Sequence, residues 1–177
     1  MLRCAQCGGE VSENDRFCFN CGAAQTASPV TQESKPATEK ERRTQELFQH
    51  LKSIDVDAEI VNGCVRTTWR SKSPLVTCVS IEFDEDGKGG HLTSAVSRKD
   101  LPLVPEDMAS QVRALTIVNE QNMAWRWLTF YLKKDNRLFA RTDFRVDDGS
   151  ANQVVEYLIR RHVSIWKQCI GEFKKIY

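Results

Sequence analysis

Four cysteines near the start of the chain stand at a spacing that few chemistries use: Cys4-Ala-Gln-Cys7-Gly8, then residues 8–17, then Cys18-Phe-Asn-Cys21-Gly22. A CxxC pair folds into a tight knuckle with both sulfurs turned toward one ion, and two knuckles complete the tetrahedral thiolate shell of Zn²⁺. Gly8 and Gly22 follow the second cysteine of each pair, where a left-handed backbone turns N–H groups toward the sulfurs and glycine adopts it without steric cost. Four sulfurs leave no coordination position for water or substrate, so the expected site is structural, with Cys4, Cys7, Cys18 and Cys21 as ligands. Redox CxxC pairs instead open a helix beside a βαβ unit, and these pairs sit among turn residues. A unit of about 20 residues buries too little apolar surface to fold unaided, which makes the metal its main source of stability.

Residues 1–25 resemble the small rubredoxin-like zinc ribbons often found at the N-termini of bacterial proteins. The resemblance implies a metal and says little about function. Some ribbons bind nucleic acid, but here Arg3 and Arg16 face Glu10, Glu13 and Asp15, and a four-thiolate zinc centre adds about two negative charges. Such a module is poorly suited to phosphates.

The remaining elements must position whatever the other 150-odd residues do. With 177 residues, the chain has room for the ribbon and one ordinary domain. Lysine and arginine total 25 against 24 acids, a balance that gives no global pull toward nucleic acid or an anionic membrane. The N-terminus lacks an apolar signal core and no run approaches a membrane span, so a cytoplasmic location is expected. Of seven cysteines, Cys64, Cys78 and Cys169 are left over from the zinc set. That odd, scattered trio reads as reduced thiols in a reducing compartment.

The small, polar, proline-containing run from Ala23 to Ala37 predicts a flexible linker over residues 26–37, ahead of a domain at 38–177. Thr38-x-x-Glu41 is a capping-box pattern, and Leu47, Phe48, Leu51 and Ile54 repeat at helical spacing, predicting a helix over 38–54. Alternating runs follow at 58–61, 65–70 and 75–83, with turn signals at Asn62-Gly63 and Asp84–Gly90, and a weaker strand at His91–Ser97. Pro105 can open a second helix with Glu106 and Asp107 in its first turn and Met108, Val112, Leu115 and Val118 as its apolar stripe. Asn119 and Glu120 fall near the expected end of that helix, as a C-cap or a polar site. Two aromatic and β-branched runs then flank Asp135-Asn136, and Ser150-x-x-Gln153 can cap a last helix of about 40 Å. The reading is an α+β fold on an antiparallel sheet, in the order α-β-β-β-α-β-β-α.

That order, with Leu101-Pro-Leu-Val-Pro105 before the second helix, Val118-Asn-Glu120, the charged hairpin and Val146-Asp-Asp-Gly149 before the last helix, resembles the YbjN family, named as bacterial sensory-transduction regulators. Its members are similar in fold to type III secretion chaperones. The resemblance covers residues 38–177, brings no catalytic residues, and implies a non-enzymatic protein-binding or regulatory module.

Searches for other chemistry fail on residue type. Asp84-x-Asp86 begins like an EF-hand, but Lys88 and Ala95 occupy positions that must carry oxygen ligands. His50, His91 and His162 are isolated in sequence, and no nucleophile elbow, zincin, Walker or dinucleotide-binding motif occurs. A non-enzymatic protein-interaction module is therefore expected. The rivals are a nucleic-acid-associated regulator, in which basic residues among aromatics on a sheet hold a single strand, and an enzyme whose site only the fold assembles.

A two-residue turn at Asp135-Asn136 would pair Leu132 with Phe139 and Tyr131 with Ala140. One face would then hold Trp125, Trp127, Tyr131, Leu138, Ala140, Phe144 and Val146 as core. The other would expose Arg126, Leu128, Phe130, Leu132, Phe139 and Arg141, a mixed apolar and basic surface for a protein partner, either a second copy of the chain or an acidic client segment.

Overall fold

The computed structural model describes residues 2–3, 10–11, 38–70, 75–147 and 149–177, in two units divided between Pro36 and Ala37. In the first unit, strand β1 (Leu2–Arg3) pairs antiparallel with β2 (Glu10–Val11), Leu2 opposite Val11 and Arg3 opposite Glu10. The four N-terminal cysteines and the expected linker lie outside the described residues.

The second unit opens as its first residues dictate. Thr38 Oγ1 accepts from the Glu41 N–H and Glu41 returns a carboxylate to the Thr38 N–H, a complete capping box that starts α1 (Glu39–Ser53). Four strands follow, β3 (Ala58–Val61), β4 (Cys64–Arg70), β5 (Val76–Phe83) and β6 (Gly89–Val96). Then come α2 (Met108–Ala124), the hairpin β7 (Thr129–Leu132) and β8 (Leu138–Arg145), and α3 (Ala151–Phe173), closed by a 3-10 turn at Lys174–Ile176. The six strands form one antiparallel sheet in the order β3-β4-β5-β6-β8-β7. The fold is thus α+β as expected, with four strands rather than three before α2. Asn62 and Gly63 take φ of 51° and 74°, the backbone of a type I′ turn, and so make β3–β4 a hairpin of its own.

All three helices pack on one face of this sheet. A single row across the six strands, Ala58–Thr67–Val79–Ser94–Ala140–Phe130, is buried from end to end. α1 and the first half of α3 cover the β3–β6 side through Leu47, Leu51, Val155 and Ile159, while α2 and the second half of α3 cover β7–β8 through Ala114, Ile117, Trp166 and Phe173. Gly90 allows the closest approach in the layer: a Cβ there would lie 2.2 Å from the Glu82 carbonyl and 3.0 Å from the Phe144 ring. Among the described residues, no helix is long and apolar enough to cross a membrane.

Four local expectations are corrected. Helix α2 starts at Met108, with Asp107 as N-cap accepting from the Ser110 N–H at 2.9 Å, rather than at Pro105. Its buried positions are Ala114, Ile117 and Val118, and the expected stripe residues Met108, Val112 and Leu115 are 78, 54 and 54% exposed. Only Arg113 and Glu120 carry charge in this helix, so periodicity fits more than one stripe, and the helix places the small Ala114 side against the sheet. Asn119 and Glu120 lie inside α2, exposed, and Asn122 is the residue that acts: its side-chain amide accepts from the Phe130 N–H at 2.6 Å and donates to the Phe130 carbonyl at 2.9 Å. This amide satisfies backbone groups of the edge strand β7 as a neighbouring strand would. Finally, Ser150 precedes α3 without a side-chain cap, and the 23-residue helix spans about 34 Å.

Candidate binding face of the sheet

The hairpin decides which side chains share a face. Its loop is three residues long, Lys134-Asp135-Asn136, with Asn136 at φ 59° and the Lys133 N–H donating to the Arg137 carbonyl at 2.9 Å. This is a type I turn followed by a left-handed residue. Tyr131 consequently stands opposite Phe139 and Phe130 opposite Ala140, one residue away from the expected register. A slip of one residue turns every side chain of β7 to the other face. Phe130 therefore enters the core at 1% exposure, edge-on to Trp166 at 5.2 Å and beside Phe173 at 5.1 Å, and Leu128 is buried with it. Leu132 packs partly against the same cluster.

The expected partner surface is thus divided. Leu128, Phe130 and Leu132 belong to the helix side, Arg126 sits in the exposed turn before β7, and Phe139 and Arg141 alone point to the far face of the sheet. There Phe139 stacks on Tyr131, with centroids 5.8 Å apart and planes at 21°, and receives two cations, Lys133 Nζ at 4.2 Å and the Arg137 guanidinium at 5.2 Å.

That far face is the open one. The row next to the buried row reads Glu59–Arg66–Ser80–Thr93–Arg141–Thr129 across all six strands, half-exposed at Ser80 and Thr93 and exposed elsewhere. Small residues, Cys78, Ser80, Thr93 and Ala95, occupy its centre and taller ones its ends, which leaves a trough of about 700 Å³. Asp57 and Glu59 stand at one end; Lys133, Arg137 and Phe139 stand at the other. Arg141 is held by Asp143 at 2.8 Å. Arg137 gives one N–H to the Val96 carbonyl at 3.4 Å, and its Nε is buried with no acceptor among the described residues.

Along the edge of the trough, where His91 joins its lining, the next row runs Glu82–His91–Asp143, with the Cys64 thiol beside Glu82. These residue types could do chemistry, and their surroundings oppose it. The Lys40 ammonium, 3.1 Å away, holds the Glu82 carboxyl below its usual range, and His91 Nε2 lies 3.5 Å from the same carboxylate. Burial and the Glu82 carboxylate push the Cys64 thiol up, so it stays protonated rather than becoming a nucleophile. Among the described residues, no three His, Cys, Asp or Glu side chains are gathered closely enough to hold a metal ion.

His162 is where the fold assembles something that the sequence hid. On α3 and fully buried, it joins Ser94 Oγ through Nδ1 at 2.7 Å and Thr142 Oγ1 through Nε2 at 2.9 Å. Trp166 Nε1 donates to Ser94 Oγ at 2.9 Å and Thr142 Oγ1 donates to the Trp127 carbonyl at 3.2 Å. These fixed ends set every proton between them. Thr142 spends its hydroxyl on the Trp127 carbonyl, so Nε2 carries the ring hydrogen and donates to Thr142; burial keeps the imidazole neutral, and Nδ1 accepts from the Ser94 hydroxyl. Burial lowers its pKa to about 3. A serine beside a histidine suggests a nucleophile and base, but both are sealed under α3 with no acid on the second nitrogen, and the chain of donors is a structural one. Spacing could not reveal it, since the partners lie 68 and 20 residues from His162.

Comparison with models of protein families, with curated proteins and with solved structures returns no match.

Proposed function

We propose that the chain is a non-enzymatic protein-binding adaptor, in which a structural zinc ribbon over residues 1–25 is tethered to an α+β module that receives a protein partner on its open sheet face. The observation that carries this reading is the row Glu59–Arg66–Ser80–Thr93–Arg141–Thr129, six strands wide and covered by no described element of the second unit, next to a row that is wholly buried. Side chains of both charges surround small central residues there, which offers charge complementarity to a polypeptide that carries both signs. The resemblance to the YbjN family points the same way, toward a regulatory or chaperone-like role. The free thiols of Cys64, Cys78 and Cys169 are consistent with a reducing cytoplasm.

For the ribbon, the support is the antiparallel pairing of β1 with β2, which brackets the segment carrying Cys4 and Cys7 between two strands, together with the sulfur-only donor set of Cys4, Cys7, Cys18 and Cys21. Bound Zn²⁺ would supply folding stability to that unit and no catalytic position. Native mass spectrometry of the full chain is expected to find a single Zn²⁺, lost in Cys4→Ser. Chelation is expected to leave the helical circular dichroism of residues 38–177 in place. A metal-free native protein, or a collapse of the helices on chelation, would refute this part.

For the open face, selection of a random-peptide library on the full chain is expected to yield binders that no longer bind Thr93→Arg, which blocks the centre of the trough. Binders indifferent to that substitution would place the partner surface elsewhere.

A further inference from the structure

The two ends of the trough are electrically opposite, and the fold answers them differently: Asp57 lies 3.7 Å from the Lys52 ammonium, whereas the cations at the other end have no carboxylate among the described residues. Lys133 and Arg137 converge on the single ring of Phe139, so two positive charges are held near each other where one carboxylate could serve both. Neither forms an ion pair among the described residues. Asp135, the nearest acid in sequence, accepts from the Arg137 backbone N–H at 3.3 Å and so belongs to the turn. The buried Arg137 Nε has no acceptor, and a guanidinium with unspent donors is the group best shaped to take a carboxylate. At the far end Asp57 and Glu59 face the same space.

We propose that the trough takes an extended polypeptide segment lying across the strands, with a carboxylate seated at Lys133 and Arg137 and a cationic side chain at Asp57 and Glu59. The spacing follows from the sheet. From β3 to β8 there are four interstrand steps in the order β3-β4-β5-β6-β8, about 19 Å, which an extended chain covers in about six residues. Over Cys78, Ser80, Thr93 and Ala95 the segment carries small side chains, since the floor is shallow and without an apolar pocket.

A nucleic-acid strand fits less well. Its phosphates repeat along the whole length and need an unbroken positive track, whereas Asp57 and Glu59 close one end of the trough and Asp143 sits beside Arg141. A second copy of the chain would lay a face with the same small central residues over this one, leaving the trough between them unfilled.

The proposal rests on the open-face reading above and is tested separately from it. The probe is a fluorescent alanine–serine peptide with one lysine and one glutamate about six positions apart, made in both orders, and the same peptide without charges. Anisotropy titration of the full chain is expected to favour one charged order over the uncharged peptide by at least about tenfold. The double variant Lys133→Glu, Arg137→Glu is expected to lose that preference and to prefer a peptide with lysine at both positions. Asp57→Lys, Glu59→Lys is expected to do the converse with two glutamates. This exchange of preference is a readout that misfolding does not produce. Equal affinity for charged and uncharged peptides, while library binders still depend on Thr93, would overturn the charge assignment and leave the open-face reading standing. Displacement of the peptide by an oligothymidylate with a steep salt dependence, or burial of the face in a dimer that excludes the peptide, would overturn the proposal.

Discussion

Two adjacent rows of the same sheet differ in almost everything except their backbone. Ala58–Thr67–Val79–Ser94–Ala140–Phe130 lies under three helices, and Glu59–Arg66–Ser80–Thr93–Arg141–Thr129, one residue along each strand, lies open. The buried row is not uniformly apolar. Thr67 spends its hydroxyl on the Asp57 carbonyl at 2.7 Å, and Ser94 is a link in the His162 chain. What separates the two faces is how much of their polar chemistry is answered inside the protein. On the covered face the hydroxyls of Thr67, Ser94 and Thr142 are answered internally, and Thr77 Oγ1 is the exception, buried with no partner among the described residues. On the open face Arg137 and Lys133 present donors that the fold leaves for something else.

The largest test of that contrast is to truncate one aromatic on each side. Phe130→Ala removes a ring packed between Trp166 and Phe173 and is expected to cost about 3–5 kcal/mol in urea denaturation. Phe139→Ala on the open face should cost no more than about 1 kcal/mol, the worth of a half-buried ring with its cations. Equal losses would mean that both faces are core.

A smaller effect comes from acid. The unfolded His162 takes up a proton below about pH 6.5, while the folded ring stays neutral down to about pH 3. The unfolded state therefore binds more protons in that window, and stability falls as pH falls. Between pH 7 and pH 5 the loss is expected to be about 2 kcal/mol. Glu82 and Glu156, whose carboxyls are held low by Lys40 and His50, add to the fall only at more acidic pH. Denaturation midpoints measured across this range check it, and a flat profile from pH 7 to pH 5 would contradict the neutral tautomer assigned to the ring.

The smallest expected change is on the trough floor. Cys78 is exposed on β5, and Cys78→Ser is expected to leave stability within about 0.5 kcal/mol of the parent. A larger loss would show the floor to be packed against something.

The elements were legible where one short signal decided them. Thr38 with Glu41 placed α1, and Asn62-Gly63 placed a turn. The hairpin register was not legible, because Asp135-Asn136 serves a two-residue turn and the last two positions of a three-residue loop equally well. The choice moved Phe130 from an expected surface to the core. The stripe of α2 was ambiguous for a related reason, since too few charged residues mark its solvent side. The trough was missed because its floor is made of small polar residues on β5 and β6, whose alternation with Val79, Ile81 and Leu92 reads only as ordinary strand pattern. What distinguishes it is the lack of a covering layer among the described residues, and that is a property of how three helices were distributed.

The donor chain through His162 also has a consequence for where α3 can sit. Ser94 and Thr142 are on neighbouring strands, and between them one imidazole reaches both hydroxyls. Sliding α3 by one position would bring Arg161 or Val163 to that spot, a charge or a methyl group where two hydroxyls wait for a partner, and would draw the Trp166 indole N–H away from Ser94. Apolar residues tolerate such a shift, since one greasy contact replaces another, but this set of hydrogen bonds closes in one placement only. The histidine thus acts as the key that holds a long helix in a single alignment on the sheet, and it fixes from beneath how the strands are laid out.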